Sequence, residues 1–299
     1  MGVTIGIPVY NEGSNLIRLL KQLYVEHQVG GVDIDEVIIV DDSTDETPRM
    51  VSSYISGTST PYKITYIHNN RRMGVAHAWN TIFRKAYSDI IILYDADIIL
   101  GKGATKALAD AIKSDDRVGI AGGRVVALDT YGIAATAAKT VSEWLNIIRE
   151  AYPESQFTIM GRCISIRSDL ARKIEIPLET ISVDLYLQCA AKSMGYKVKY
   201  IGDAVVYFKP PTRIREFTSQ ILRGYIGHRQ LKKLIEKYLD GIGIKVQIAT
   251  FLEVLNHTPS TEALNTLIAY ILSAMYIART YRGASRAQWD IALSTKQHS

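Results

Sequence analysis

This chain is poor in the features that mark several protein classes. It has two cysteines, Cys163 and Cys189, among 299 residues. That is too few for a disulfide framework, and their separation fits no metal-ligand spacing. A reducing compartment is expected, with both residues serving as small apolar side chains. No run reaches the ~18 apolar residues that cross a bilayer. The longest apolar-rich stretch, residues 264–278, is interrupted by Asn265, Thr266 and Ser273. No basic and apolar leader precedes the first strand pattern, so no secretory signal is expected and the cytoplasm is the expected location. Charge of one sign is in modest excess, with a formal net charge of +5. The basic residues between 213 and 237 are not interleaved with aromatics that could stack on bases, so no nucleic-acid partner is expected. Internal repeats and low-complexity segments are absent as well.

What is present is ordinary globular material, 47% hydrophobic and 22% charged, long enough to bury a substantial core as one large domain, or one domain with an extension. Through residue 125, strand and helix patterns alternate. Strand-like runs fall at 3–9, 37–40, 64–67, 90–94 and 118–121. Leu16, Leu19, Leu20 and Leu23 recur at helical spacing, with Ser14 as the expected N-cap. Helices are also expected over 75–86 and 102–113. This alternation predicts an α/β fold with a mixed, mostly parallel sheet flanked by helices. Residues 126–211 are less regular: a helix over 134–149, strands near 157–160 and 163–167, a helix over 183–194 stopped by Gly195, then strands at 197–201 and 204–208. From residue 212 the character changes to one long basic helix over 214–239 and two apolar helices, 245–255 and 259–279. Thr258 is the expected cap of the second. The expected division is 1–211, with halves 1–125 and 126–211, followed by a helical extension over 212–299.

Asp95 and Asp97 carry the strongest chemical signal. They follow the apolar run Ile90-Ile-Ile-Leu-Tyr94, which suits a strand buried on both faces. Open α/β sheets bind ligands beyond the carboxyl ends of their strands. Two further polar clusters, Pro8-Val-Tyr-Asn-Glu12 and Asp41-Asp-Ser-Thr-Asp45, follow the first and second strands. Three such clusters on one sheet edge would repel one another unless a cation or donor groups offset them. Paired carboxylates suit a hard divalent cation, and such a cation suits phosphates.

Four stretches, in order and in strand context, resemble the family 2 glycosyltransferases, inverting enzymes with the GT-A fold: Ile7-Pro-Val-Tyr-Asn-Glu12, Val40-Asp-Asp-Ser-Thr-Asp-Glu-Thr47, Asn69-Asn70 to Gly74 with Ala78-Trp-Asn80, and Tyr94-Asp-Ala-Asp97. The resemblance extends over roughly residues 3–230. It implies a metal-dependent transferase moving a sugar from a UDP- or GDP-linked donor to a hydroxyl or lipid-linked acceptor, with Mn²⁺ or Mg²⁺ as cofactor. Pro8, Tyr10 and Glu12 would line base and ribose, and Asp41 or Asp42 would accept a hydrogen bond from the base. Arg71 and Arg72 would help hold the pyrophosphate. Asp95 would lie by the ribose or metal and Asp97 on the metal. The resemblance also implies a carboxylate base eleven residues before Gly195, which is Asp184; Val183 stands where the family usually has Glu. Gly161 and Arg162 fall in the segment that lines the acceptor side. Gln220 and Arg223 match a motif of processive members, but Gly224 replaces its Trp, so a non-processive enzyme is expected. Phe208-Lys209 stand where many members carry a His; His228 is the remaining candidate for a third metal ligand.

Within this reading the acceptor stays open, and a polyprenyl phosphate is the alternative to a hydroxyl. Two other classes fit less well. A haloacid-dehalogenase-type phosphatase places D-x-D after its first core strand, not its fourth. A non-catalytic nucleotide-sugar-binding protein would need a dead base or a lost metal site, and neither is evident. The basic segment and apolar tail are compatible with packing on the catalytic domain, a homodimer, or peripheral contact with the cytoplasmic face of an anionic membrane.

Overall fold

The computed structural model describes residues 2–280; Met1 and residues 281–299, the end of the expected extension, lie outside the described residues. The first half is a succession of β1 (Val3–Val9), α1 (Gly13–Val29), β2 (Ile34–Asp41), α2 (Thr47–Gly57), β3 (Lys63–His68), α3 (Val75–Lys85) and β4 (Ile90–Tyr94). These four strands pair in parallel, in the order β3-β2-β1-β4. The order reverses between β1 and β4, and that reversal opens a crevice at their carboxyl ends. The chain continues through β5 (Ile98–Leu100), α4 (Ala104–Lys113), β6 (Val118–Ala127), α5 (Ile133–Ala151), β7 (Cys163–Arg167), α6 (Ser168–Ala171), α7 (Val183–Ser193) and β8 (Lys197–Phe208). The full eight-stranded order is β3-β2-β1-β4-β7-β6-β8-β5. β7 runs antiparallel to both β4 and β6, and β5 runs antiparallel to β8. The sheet is therefore mixed, as expected. Helices α8 (Ile214–Gln230), α9 (Lys232–Tyr238), α10 (Ile244–His257) and α11 (Ser260–Thr280) complete the described chain.

Side-chain alternation explains the layers. On β4, Ile90, Ile92 and Tyr94 join the core beneath α1 and α4, whereas Ile91 and Leu93 join the core beneath α3 and α7. Leu16, Leu19, Leu20 and Leu23 are fully buried, which makes α1 the cover of the first face. Each is worth about 1.5–3 kcal/mol on burial. Trp79, Ile82 and Phe83 of α3 do the same on the other face.

Several local expectations are corrected. Ser14 is exposed and does not cap α1; the helix starts at Gly13, whose N–H donates to Thr47 Oγ1 at 3.0 Å, and Glu12 is the cap residue. Residues 157–160 form no strand: this segment turns, with Gln156 exchanging hydrogen bonds with the backbone of Ile242. The two expected strands after Gly195 are one, β8. The long basic helix is two, because Leu231 leaves helical geometry and is buried against Leu185 and Cys189 of α7. Thr258 donates its hydroxyl back to the Val254 carbonyl of α10 and does not cap α11. Ser260–Ala278 is, by length and composition, apolar enough to cross a membrane, which corrects the expectation that no such stretch exists.

Candidate active site

The crevice is built from strand ends. After β1, Asn11 takes a positive φ of 55°, a conformation Asn tolerates better than most residues. Its N–H donates to Ser43 Oγ at 2.7 Å and its Oδ1 accepts from Thr44 N–H at 2.9 Å, which ties the end of β1 to the turn after β2. Tyr10 lies beside it with the Arg72 guanidinium 4.4 Å from its ring centre, a cation–π contact. Pro8 is half-buried in register with Val40, and Glu12 accepts from Asn15 Nδ2. Arg71 is exposed, with its Nε on Met73 Sδ.

The double aspartate is committed to the protein itself. Asp41 and Asp42 are both buried. Asp41 accepts from Ser43 N–H and the Tyr66 hydroxyl, with the His68 ring 3.5 Å away. Asp42 accepts from Asn69 Nδ2 at 2.8 Å and from the N–H groups of Met73 and Gly74 at 2.7 Å. These carboxylates shape the loop on which Arg71 and Arg72 sit.

Asp95 and Asp97 flank the floor of the crevice. The Asp95 carboxyl is pushed up to about 7, first by desolvation and then by Asp97 and Asp184, against the opposing pull of Arg162 and Arg223. Arg162 Nη1 lies 2.9 and 3.2 Å from the two oxygens of Asp97 and 3.9 Å from Asp95 Oδ2. The Arg162 guanidinium sits on the aspartate pair, 4.3 Å above the Phe208 ring. Arg18 adds further positive charge, donating to the carbonyl of Ile98 at 3.1 Å.

Asp184 lies in the first turn of α7. Its Oδ2 accepts the Gly161 N–H at 3.0 Å and its Oδ1 the Leu185 N–H at 2.9 Å. Gln188, one turn further along α7, accepts from Ile159 N–H and donates to the Ser155 carbonyl, which pins the segment carrying Gly161 to the helix carrying Asp184. Arg223 of α8 is exposed and lies within electrostatic reach of Asp95, Asp97 and Asp184. Gln220 is half-buried on the same helix. His228 faces elsewhere, its ring 5.4 Å from Phe157 and its Nδ1 on the Gly224 carbonyl. Burial pushes the Cys163 thiol up to about 12 and the Cys189 thiol up to about 11, so both act as inert core residues.

Among the described residues no three His, Cys, Asp or Glu side chains form a self-sufficient cation cage. Small divalent cations that act on nucleotides need less, because one or two carboxylates suffice when substrate phosphates complete the shell. Asp95 and Asp97 supply that number, so the residues present fit such a cation.

The profile of glycosyl transferase family 2 matches residues 4–172, more than half of the chain. The chain belongs to glycosyl transferase family 2. The profile of glycosyl transferase family group 2 matches residues 90–290. The dolichol-phosphate mannosyltransferase of Pyrococcus furiosus is 29% identical over 120 residues, which is 40% of this chain and 32% of that protein. The match thus spans about a third of that relative's length. Among solved structures, the mannosyltransferase PcManGT from Pyrobaculum calidifontis, in complex with GDP-Man and Mn²⁺, superposes with a TM-score of 0.58 at 22% identity, covering 94% of this chain and 76% of that one. TarS 1-349 of S. aureus in complex with UDP gives 0.53 at 18% identity, covering 86% and 71%. These likenesses show the fold: a GT-A sheet with a C-terminal helical region.

Proposed function

We propose that this transferase moves a sugar, with inversion, from a nucleoside-diphosphate donor to an acceptor in the crevice between β1 and β4. The observation that carries the reading is convergence: Asp184, far along the chain, lies within electrostatic reach of Asp95 and is held there by the Gly161 N–H. Asp95 and Asp97 would hold a divalent cation, which when bound neutralises charge that builds on the diphosphate as the glycosidic bond breaks. Pro8, Tyr10 and Glu12 would line the base and ribose, and Arg72, already against Tyr10, would face the pyrophosphate. Asp184 would take the acceptor's proton, a role worth about 10²–10⁴-fold in rate. On this reading residues 1–125 bind the nucleotide-sugar, 126–211 bind the acceptor, and the helices from 212 form an extension. The mannosyltransferase relatives, one of them bound to GDP-Man and Mn²⁺, support GDP-mannose as the first donor to try.

The test is donor hydrolysis and transfer with GDP-mannose and UDP-sugars, with Mn²⁺, Mg²⁺ or chelator. Asp97→Asn is expected to abolish divalent-dependent turnover with the fold intact; full activity of that variant in chelator would remove the metal assignment. Asp184→Asn is expected to leave donor binding near wild type and cut transfer to a hydroxyl by about 10²–10⁴-fold.

A lipid-linked phosphate is the second reading of the acceptor. It is favoured by the positive charge of Arg223 on α8 within electrostatic reach of Asp184. A phosphate is already an anion and needs no base. Transfer to a polyprenyl phosphate that survives Asp184→Asn would select this reading.

A further inference from the structure

The aspartate pair already has a cation, and it is part of the chain. Arg162 Nη1 bridges both oxygens of Asp97 and approaches Asp95. The arrangement follows from the sheet. β7 runs antiparallel to β4 with Tyr94 opposite Cys163, and the Asp95 N–H donates to the Arg162 carbonyl at 3.3 Å, so the Arg162 backbone is fixed beside the aspartates. Its side chain, by contrast, is held by contacts that can be exchanged: two carboxylates and the face of Phe208 at 4.3 Å. Phe208 ends β8 and is buried in the core, so the ring beneath the guanidinium is fixed by the sheet.

Two cations at such a site compete for the same carboxylates. A divalent ion that arrives alone either shares Asp97 with the guanidinium or displaces it, and in both cases lies beside a half-buried positive charge, which like charges and desolvation oppose. An ion that arrives with a nucleoside diphosphate brings the displaced guanidinium a new anion. Arginine is suited to the exchange, because its planar fork matches phosphate as well as carboxylate and is weakly hydrated.

We infer that Arg162 is the resident counter-ion of Asp95 and Asp97 and that it is handed over to the donor's diphosphate, so that the divalent cation and the nucleotide bind with positive coupling. The inference rests on the reading of Asp95 and Asp97 as the cation's ligands. It makes Arg162 a positioning residue with two partners: the aspartates before the donor arrives, and the diphosphate after. Linkage requires the effect to be reciprocal, with the nucleotide tightening the cation by the same factor as the cation tightens the nucleotide.

Mn²⁺ binding measured by electron paramagnetic resonance or calorimetry, with no sugar donor and no turnover, tests this. Wild type is expected to bind Mn²⁺ weakly alone and more tightly, by a factor within about 5–150-fold, in the presence of GDP or UDP. Arg162→Gln is expected to tighten Mn²⁺ about tenfold without nucleotide and to shrink the stimulation by nucleotide. Phe208→Leu keeps the arginine but removes its support, and is expected to shift Mn²⁺ in the same direction by a smaller factor; it serves if Arg162→Gln does not fold. Equal Mn²⁺ affinity in wild type and both variants, with Asp97→Asn still abolishing it, would overturn the handover while leaving the metal reading intact. Absence of Mn²⁺ binding in every protein, with or without nucleotide, would overturn both.

Discussion

Asp42 accepts three hydrogen bonds from the loop over 69–74, and charged acceptors of this kind are worth about 1.5–3 kcal/mol per bond. Asp42→Asn would turn one acceptor oxygen into an amide donor facing other donors. A stability loss of about 1–3 kcal/mol is expected, read from the urea midpoint with and without saturating GDP. An unchanged midpoint would show that this carboxylate is free to serve the base of the nucleotide. The residue types of the crevice were legible in the sequence because they fall at strand ends: Tyr10, Asp42, Asp95 and Asp97 are each within two residues of an apolar run. Their partners were not. Arg162 reaches Asp97 across 65 residues, and Tyr66 reaches Asp41 across 25; both meetings follow from sheet pairing, which no local pattern encodes. Buried Arg149, whose Nη1 donates to the Gly123 carbonyl at 3.1 Å and whose guanidinium lies 5.4 Å from the Tyr200 ring, gave no sequence signal at all, because a lone arginine on a helix ordinarily faces water.

Helix placement decides which side chains meet in the crevice. α1 could be read directly, since its four leucines keep one period and one face. The break between α8 and α9 could not, because it depends on Leu231 finding a pocket on α7, a tertiary event. α8 also approaches the chain just before Asp184: a side chain added at Gly227 would run into Ser182 Oγ. Gly227→Ala gains about 0.5–1 kcal/mol of helix preference but overpacks a contact, at a cost of about 1–3 kcal/mol. The expected result is a net loss of thermal stability and, because Arg223 rides on the same helix, weaker acceptor use at an unchanged GDP affinity. A higher melting temperature would show that α8 does not rest on Ser182 in solution.

On the scale of the whole molecule, the C-terminal helices leave a question of solvation. α11 turns a row of small residues inward: Thr266, Ala269 and Ser273 are buried. Thr266 and Thr140 hydroxyls lie 3.1 Å apart, and Thr218 donates to Ser273 at 2.7 Å. Phe251 of α10 packs edge-on against Trp144 and Tyr270. The tail therefore packs within the chain, one of the three arrangements the sequence left open, but the packing covers only one side. Ile244, Ile248, Leu252, Leu264, Leu267, Ile271 and Met275 are each about half exposed or more, and covering such side chains is worth about 1.5–3 kcal/mol apiece when complete. Arg229, Lys232, Lys233 and Lys237 are exposed on the preceding helices, and each basic residue near an anionic bilayer adds about 1 kcal/mol. The prediction is salt-sensitive flotation with anionic liposomes and none with neutral ones. Leu264→Glu combined with Ile271→Glu changes only exposed positions, so it should abolish flotation while leaving the free energy of unfolding within about 0.5 kcal/mol per substitution of wild type. A discrete dimer in detergent-free sizing that ignores liposomes and is broken by the same pair would assign the uncovered row to a second copy. A monodisperse monomer indifferent to both liposome types would eliminate the membrane and the dimer together.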